Sequence, residues 1–246
     1  VNGLKDALEG RVRFIDDAAQ RIREDYLRIL RFFRFSAFYG QPNHGWNADA
    51  LAAIAENLNG LKTLSAERVG SEMLRLLSAS DPVGPVAVME RIGVLNSILP
   101  GADAKLLGLL IHIEGQIAAS RDPITRLAAL GGTDVVQRLR LSRKDQKQLA
   151  LTLEHAGSLM GARAIGHSAG LAAGTGAILL RAALTEQPLL ASTAQDIAYG
   201  AAMKFPISAR DLPELIGPAL GKRLAAIKKD WLISDLTKTK ADLLRA

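Results

Sequence analysis

The chain has 246 residues, of which 48% are apolar and 23% are charged, and this balance excludes a disordered or low-complexity protein. It contains no cysteine, which excludes disulfide frameworks, thiolate zinc sites and cysteine nucleophiles and favours a reducing, cytoplasmic location. The formal net charge of +6 and the pI of about 9.7 favour a polyanionic partner.

Residues 11–15 alternate charged and apolar side chains, which predicts a short extended segment that Asp16 and Asp17 close as a turn. From Arg21 onwards nearly every segment has helical periodicity, and the low aromatic content favours helices over sheets. We therefore expect an all-α, bundle-like fold in which short turns join antiparallel helices. The predicted helices cover residues 24–39, 47–57, 66–77 (with Ser65 as its cap), 85–92, 103–119, 123–130, 143–155, 189–203, 220–231 and 234–244.

The uncharged segment 164–180 could be mistaken for a membrane span, because Gly166, Gly170 and Gly174 have the spacing of membrane helix pairs. It is shorter than the roughly 20 apolar residues that a span needs, and it contains His167. We therefore predict a tightly packed helix pair and no membrane partner.

The segment from Arg21 to Phe35 carries the sharpest chemical signal. Arg21, Asp25 and Arg28 lie at i, i+4 and i+7 of a helical segment, so they are predicted to share a face. That face is either a solvated surface held by ion pairs or a binding site. The opposite face is explained by an apolar stripe of Ile22, Tyr26, Ile29, Leu30, Phe33 and Ala37.

A carboxylate beside a guanidinium can read a nucleobase, because the first only accepts hydrogen bonds and the second only donates them. Asp25 and Arg28, held edge to edge, would match the amino group and ring nitrogen that cytosine and adenine present side by side. Guanine and uracil present the opposite order and would leave buried groups unpaired, at about 1–3 kcal/mol each. Such a pair would select C and A without a nucleic-acid template.

The run Glu24-Asp25-Tyr26-Leu27-Arg28 and residues 29–35 closely resemble the Glu-Asp-x-x-Arg motif of bacterial CCA-adding tRNA nucleotidyltransferases and poly(A) polymerases. Residues 3–15 are similar to the preceding motif of that family, and residues 64–72 to its Ser-x-Glu-Arg-x-x-x-Glu helix. Many relatives carry proline where Tyr26 stands. The resemblance implies that Asp25 and Arg28 bind the Watson–Crick edge of CTP or ATP and that Glu24 orients the arginine or anchors the helix start.

The same resemblance implies roles for other residues and a division of the chain. Arg31 and Arg34 would position the helix or contact phosphate, and structural support would come from Glu67, Arg68 and Glu72. Residues 1–20 would link to a catalytic head, residues 21–80 form a nucleotide-selecting, RNA-binding neck, residues 81–150 a body and residues 151–246 a tail that binds tRNA.

Nucleotidyl transfer needs Mg²⁺ held by carboxylates, usually an Asp-x-Asp pair. No Asp-x-Asp occurs in the sequence, and the four histidines lack paired metal-ligand spacing. We therefore expect no catalytic or metal-ligating residue here, a head that precedes residue 1 and supplies the Mg²⁺ site, and no activity from the chain alone.

Two basic clusters are candidates for contacts with the backbone of tRNA or another RNA 3′ end, although each could also be a solvated face. The alternative function is a non-catalytic helical module that binds RNA or protein. CCA addition and poly(A) addition, and the oligomeric state, stay open. The two clusters consist of Arg138, Arg140, Arg143, Lys144 and Lys147, and of Lys222, Arg223, Lys228 and Lys229.

Overall fold

The computed structural model describes residues 3–41 and 45–245. Within these ranges the chain forms α-helices and short 3-10 turns and no strand, so the prediction of an all-α fold is confirmed. The chain divides into two compact units, one up to Lys147 and one from Gln148. The finer division into linker, neck, body and tail stays a prediction.

The first unit contains a 3-10 segment, Leu58–Thr63, and part of α11 (Arg143–Ala156), which ends in the second unit. Its other helices are α1 (Gly3–Glu9), α2 (Ala18–Glu24), α3 (Leu27–Tyr39), α4 (Ala48–Glu56), α5 (Ala66–Leu77), α6 (Val83–Arg91), α7 (Val94–Ile98), α8 (Lys105–Gln116), α9 (Pro123–Leu130) and α10 (Val135–Arg138). The second unit contains α12 (Ala162–Thr185), α13 (Thr193–Ala202), a 3-10 turn (Ala209–Asp211), α14 (Gly217–Ile233) and α15 (Lys240–Arg245).

Side-chain caps explain why several helices begin where the sequence predicts. The Ser65 hydroxyl accepts a hydrogen bond from the backbone N–H of Arg68 and starts α5, which confirms the predicted cap. Asn47 caps α4 in the same way. Asp122 caps α9, where Pro123 occupies the first helical position. The predicted bounds of α5 and α9 agree with the structure.

The segment before α2 is only partly the extended linker that the sequence predicts. Residues 3–9 form α1, which the sequence analysis did not predict, whereas residues 11–14 have no regular secondary structure. Asp16 has a left-handed backbone (φ 62°) and ends this segment as a turn. The Phe14 ring stacks on Phe32 of α3 with 5.4 Å between ring centroids, which anchors the linker to the core.

The predicted helix 24–39 is wrong at its start, because the chain breaks at Asp25 into α2 and α3. Asp25 is extended (φ −156°, ψ 104°), and its carboxylate accepts the backbone N–H of Leu27 at 3.1 Å. Its carbonyl accepts the N–H of Arg28 at 3.0 Å. Aspartate competes in this way with the helical ladder for nearby N–H groups. Beyond the break, α3 buries Leu27, Ile29, Leu30, Phe32 and Phe33.

A buried arginine ties three helices of the first unit together. Arg126 of α9 is 1% exposed and donates to the Glu114 carboxylate of α8, with its closest contact at 2.6 Å. It also donates to the carbonyl oxygens of Leu77 (2.7 Å) and Ala79 (2.6 Å) at the end of α5. These contacts satisfy both the buried charge and the unpaired carbonyls at a helix end.

In the second unit, α12 covers the segment predicted as a helix pair, and it breaks at Gly170 (φ 78°, ψ 176°). By length and composition this helix could cross a membrane, but half of its most apolar window is buried inside the protein. It packs closely on α13, since a Cβ on Gly200 would lie 1.9 Å from the carbonyl oxygen of Arg163. The absence of a membrane partner stays a prediction.

The predicted helix 234–244 is wrong in its first half. Asp235 (φ 51°) and Leu236 (φ 64°) have left-handed backbones, and the last helix begins only at Lys240. The turn has a function in the fold, because the Asp235 carboxylate accepts the backbone N–H of Ala164 at 2.7 Å. It thereby caps the start of α12 from the other end of the unit.

Replacing Arg126 by methionine should destabilise the chain by about 3–5 kcal/mol, because Glu114 would be left as an unpaired buried charge. Urea denaturation of this chain measures the effect. The exposed Arg121, mutated to Met, serves as the control and should change stability by less than about 0.5 kcal/mol. A double variant, Arg126→Met with Glu114→Gln, should recover part of the stability, and no recovery would contradict this explanation.

Candidate functional site

Asp25 and Arg28 do not share a helix face as predicted, because Asp25 lies in the break between α2 and α3. Asp25 instead pairs with Arg68 of α5, whose Nη2 donates to both carboxylate oxygens at 3.1 and 3.0 Å. Both side chains remain accessible, with 26% of Asp25 and 48% of Arg68 exposed. The helix break therefore turns the carboxylate towards α5.

Arg28 is held from the α2 side of the break. Its Nη1 donates to Glu24 Oε2 at 2.5 Å and to the carbonyl oxygen of Arg21 at 2.8 Å. The same carboxylate oxygen of Glu24 accepts Nη1 of Arg21 at 2.6 Å. Glu24 therefore contacts Arg28, as its predicted orienting role requires. The orienting role itself stays a prediction.

Arg31 and Arg34 converge on one buried carboxylate of α5. Nη1 of Arg34 donates to Glu72 at 2.7 Å, and Nε of Arg31 lies 3.4 Å from the other oxygen. Glu72 is 5% exposed, so the two arginines balance its charge. Of the two roles that the resemblance implies for them, these contacts favour positioning of α3 on α5 over binding of phosphate.

The three residues assigned to structural support therefore differ in what they contact. Glu72 is buried between α3 and α5, and Arg68 holds Asp25. Glu67 is exposed and lies 3.4 Å from the side chain of Arg140. Sequence reasoning gave Arg68 a structural role and missed its direct contact with Asp25, because the two residues are 43 positions apart.

The Asp25 carboxylate has capacity for a further ligand. A carboxylate offers about four lone-pair sites. Leu27 and Arg68 together occupy two sites on Oδ1 and one on Oδ2, which leaves Oδ2 able to accept another donor. Arg68 binds Asp25 through Nη2, and its other guanidinium N–H groups can donate elsewhere. An acceptor and a donor thus lie side by side at the surface, with Arg28 three residues from Asp25.

Both basic clusters are accessible in their own units. All five members of the first cluster are exposed, on α10, α11 and the turn between them. In the second cluster Arg223 is half-buried, and the others lie exposed along α14. Residues 3–41 and 45–245 contain no group of three or more metal-ligating side chains, and Asp25, Arg28 and Arg68 do not form the carboxylate set that Mg²⁺ prefers.

Comparison with known proteins finds matches to parts of this chain. Residues 47–106 match the family model described as the probable RNA and SrmB-binding site of polymerase A. The mitochondrial CCA tRNA nucleotidyltransferase 1 of Mus musculus is 35% identical over 155 residues, which cover 61% of this chain and 36% of that protein. The chain is therefore similar over part of its length to CCA-adding enzymes and to a poly(A) polymerase RNA-binding model.

Solved structures of CCA-adding enzymes have the same fold as this chain. The CCA-adding enzyme of Bacillus stearothermophilus in complex with CTP aligns with 100% of this chain and 66% of its own, at a TM-score of 0.69 and 20% identity. The Thermotoga maritima enzyme complexed with tRNA aligns with 99% of this chain and 65% of its own, at a TM-score of 0.63 and 15% identity. The chain thus spans about a third of the length of the curated mouse relative, and about two thirds of these solved chains.

Glu72 and Glu67, on the same helix, should respond differently to the same substitution. Glu72→Gln should destabilise the chain by about 2–3 kcal/mol, because two arginines lose their buried counter-charge. Glu67→Gln should cost less than about 0.5 kcal/mol, because its pair is exposed. Thermal and urea unfolding of this chain compare the two variants, and equal effects would show that Glu72 does not anchor α3.

Proposed function

We propose that this chain selects CTP and ATP and binds RNA for a cytoplasmic nucleotidyltransferase that adds C, A or both to RNA 3′ ends. The Mg²⁺-binding carboxylates would lie in another part of the same protein, since the sequence has no Asp-x-Asp. The observation that carries the proposal is the accessible Asp25 carboxylate, fixed by Arg68 at the helix break, three residues before Arg28.

Base selection follows from the hydrogen-bonding character of these groups. The free acceptor site of Asp25 would take the amino group of cytosine or adenine, and an arginine N–H would donate to the adjacent ring nitrogen. A uracil or guanine in the same place would put acceptor against acceptor and donor against donor. The ion pairs hold the groups before the nucleotide arrives, which limits the entropy lost on binding.

Other observations support the RNA and nucleotide partners. The matched family model is described as a probable RNA-binding site, and the mouse relative is a tRNA nucleotidyltransferase. The solved relatives were crystallised with CTP or with tRNA. The exposed basic clusters and the net charge of +6 suit contact with a phosphate backbone.

A second candidate function is a helical RNA-binding or protein-interaction module without a role in nucleotide transfer. It is favoured by the ion pairs of Glu24, Arg28, Arg31 and Arg34, which account for those charges without any ligand. The two functions differ in whether Asp25 affects the choice of nucleotide.

Asp25→Ala and Arg28→Ala in the full-length protein should weaken the preference for CTP and ATP over UTP and GTP. A decrease of about 10–100-fold in the ratio of kcat/KM values is expected when one or two hydrogen bonds of about 1–3 kcal/mol are removed. Extension of a tRNA that lacks its 3′ end, with each nucleotide in turn, measures the ratio. Arg23→Ala, at an exposed position of α2, is the control, and unchanged base choice in the Asp25 variant would favour the interaction module.

RNA binding by this chain should depend on salt and on the α14 cluster. Replacing Lys222, Lys228 and Lys229 by glutamine should lower the slope of log K against log salt by about 0.7 for each single-strand phosphate that the protein no longer neutralises. Fluorescence anisotropy with a labelled tRNA measures the slope. The matched control replaces Lys5, Arg11 and Arg121, which removes the same charge from exposed positions outside residues 47–106 and outside both basic clusters. Equal slopes in both variants would show that α14 does not contact RNA.

A further inference from the structure

Tyr26, the residue after Asp25, packs its ring against the backbone of the 3-10 segment Leu58–Thr63. A Cβ placed on Gly60 would lie 2.0 Å from both Cδ1 and Cε1 of Tyr26, so the ring occupies the space that any other residue would fill. Gly60 is buried and does not have a left-handed backbone. Glycine is therefore needed at position 60 for the close approach of this ring.

The backbone around Tyr26 has the conformation that a proline would impose. Tyr26 has φ −60°, and Asp25 before it is extended. The N–H of Tyr26 donates no backbone hydrogen bond among the residues that the structure describes. Unlike proline, tyrosine at position 26 allows the residue before it to be helical. Another contact must therefore keep Asp25 extended and maintain the break between α2 and α3.

We infer that Tyr26 is a positioning residue for base selection, an inference that rests on the proposed function. Its ring, seated on Gly60, fixes the helix break and thereby the direction of the Asp25 carboxylate. If Asp25 became helical, as Tyr26 already is (φ −60°, ψ −19°), its carboxylate would lose the N–H of Leu27 and its alignment with Arg68. The contact between the Tyr26 ring and Gly60 thus keeps Asp25 extended. A proline at position 26 would impose the same conformation through its covalent ring.

The contact itself is tested in this chain by a double-mutant cycle. Gly60→Ala should lower the melting temperature by roughly 3–10 °C when Tyr26 is present, because the methyl group meets the ring. The same substitution in a Tyr26→Ala background should have little effect. Tyr26→Ala should also speed hydrogen exchange at the Leu27 amide by on the order of 10-fold, whereas Tyr26→Phe should match the parent. Additive effects of the two alanine substitutions would overturn the inference.

The positioning role is tested by nucleotide choice in the full-length protein. Tyr26→Ala should reduce the ratio of kcat/KM for CTP over UTP by about 10-fold, because a carboxylate displaced by about 1 Å no longer meets the base. Tyr26→Pro should restore the ratio, since proline imposes the observed backbone without the ring. A merely structural role predicts that Tyr26→Ala lowers stability and leaves the ratio unchanged, and that result would overturn the inference.

Asp25→Ala in the same assay distinguishes failure of the proposed function from failure of the positioning role of Tyr26. If Asp25→Ala lowers the CTP-to-UTP ratio and Tyr26→Ala does not, the inference about Tyr26 is wrong and the proposed function stands. If Asp25→Ala leaves the ratio unchanged, the proposed function fails, and the positioning role fails with it. In that case the double-mutant cycle still reports whether Tyr26 holds the helix break.

Discussion

The helix break at Asp25 is the constraint on which the candidate site depends. A single helix through residues 24–39 would direct the carboxylate along the surface of that helix. The observed break instead turns it to Arg68, and the carboxylate stabilises the break by accepting the N–H of Leu27. One side chain therefore both ends the regular structure and presents the group that would read the base, so neither property can change without the other.

Two buried carboxylates hold the surroundings of this break in place. Glu72 binds Arg31 and Arg34, so that α3 cannot slide along α5 without exposing an unpaired charge. Glu114 binds Arg126, which in turn holds the last carbonyls of α5. Helix α5 is thus fixed at its middle and at its C-terminal end, and it holds Arg68 against Asp25 on that rigid support.

The sequence predicts the helices of this fold well where local signals decide them. Caps at Ser65 and Asp122 set the starts of α5 and α9. The burial of Glu72 also had a local signal, because position 72 falls in the apolar stripe with Val69, Met73 and Leu76. In contrast, Arg126 lies in α9, which is buried on all sides. Such a helix has no separate apolar face, so its sequence pattern does not predict that Arg126 is buried.

The pairing of Asp25 with Arg68 was beyond sequence reasoning for a different reason. The two residues are 43 positions apart, and their contact depends on where α5 packs. Helical periodicity predicted Asp25 and Arg28 on one face because it assumes that the helix continues. The turn at Asp235 and Leu236 was missed on the same assumption, since the periodicity of residues 234–244 gave no sign of two left-handed residues.

That turn has a consequence for the order in which the second unit forms. Asp235 caps α12 through the N–H of Ala164, across 71 positions of the chain. A growing polypeptide has no such cap for α12 until the ribosome has synthesised α14 and released the turn from its exit tunnel. The first long helix of this unit consequently completes its hydrogen bonding only after α13 and α14 have been synthesised.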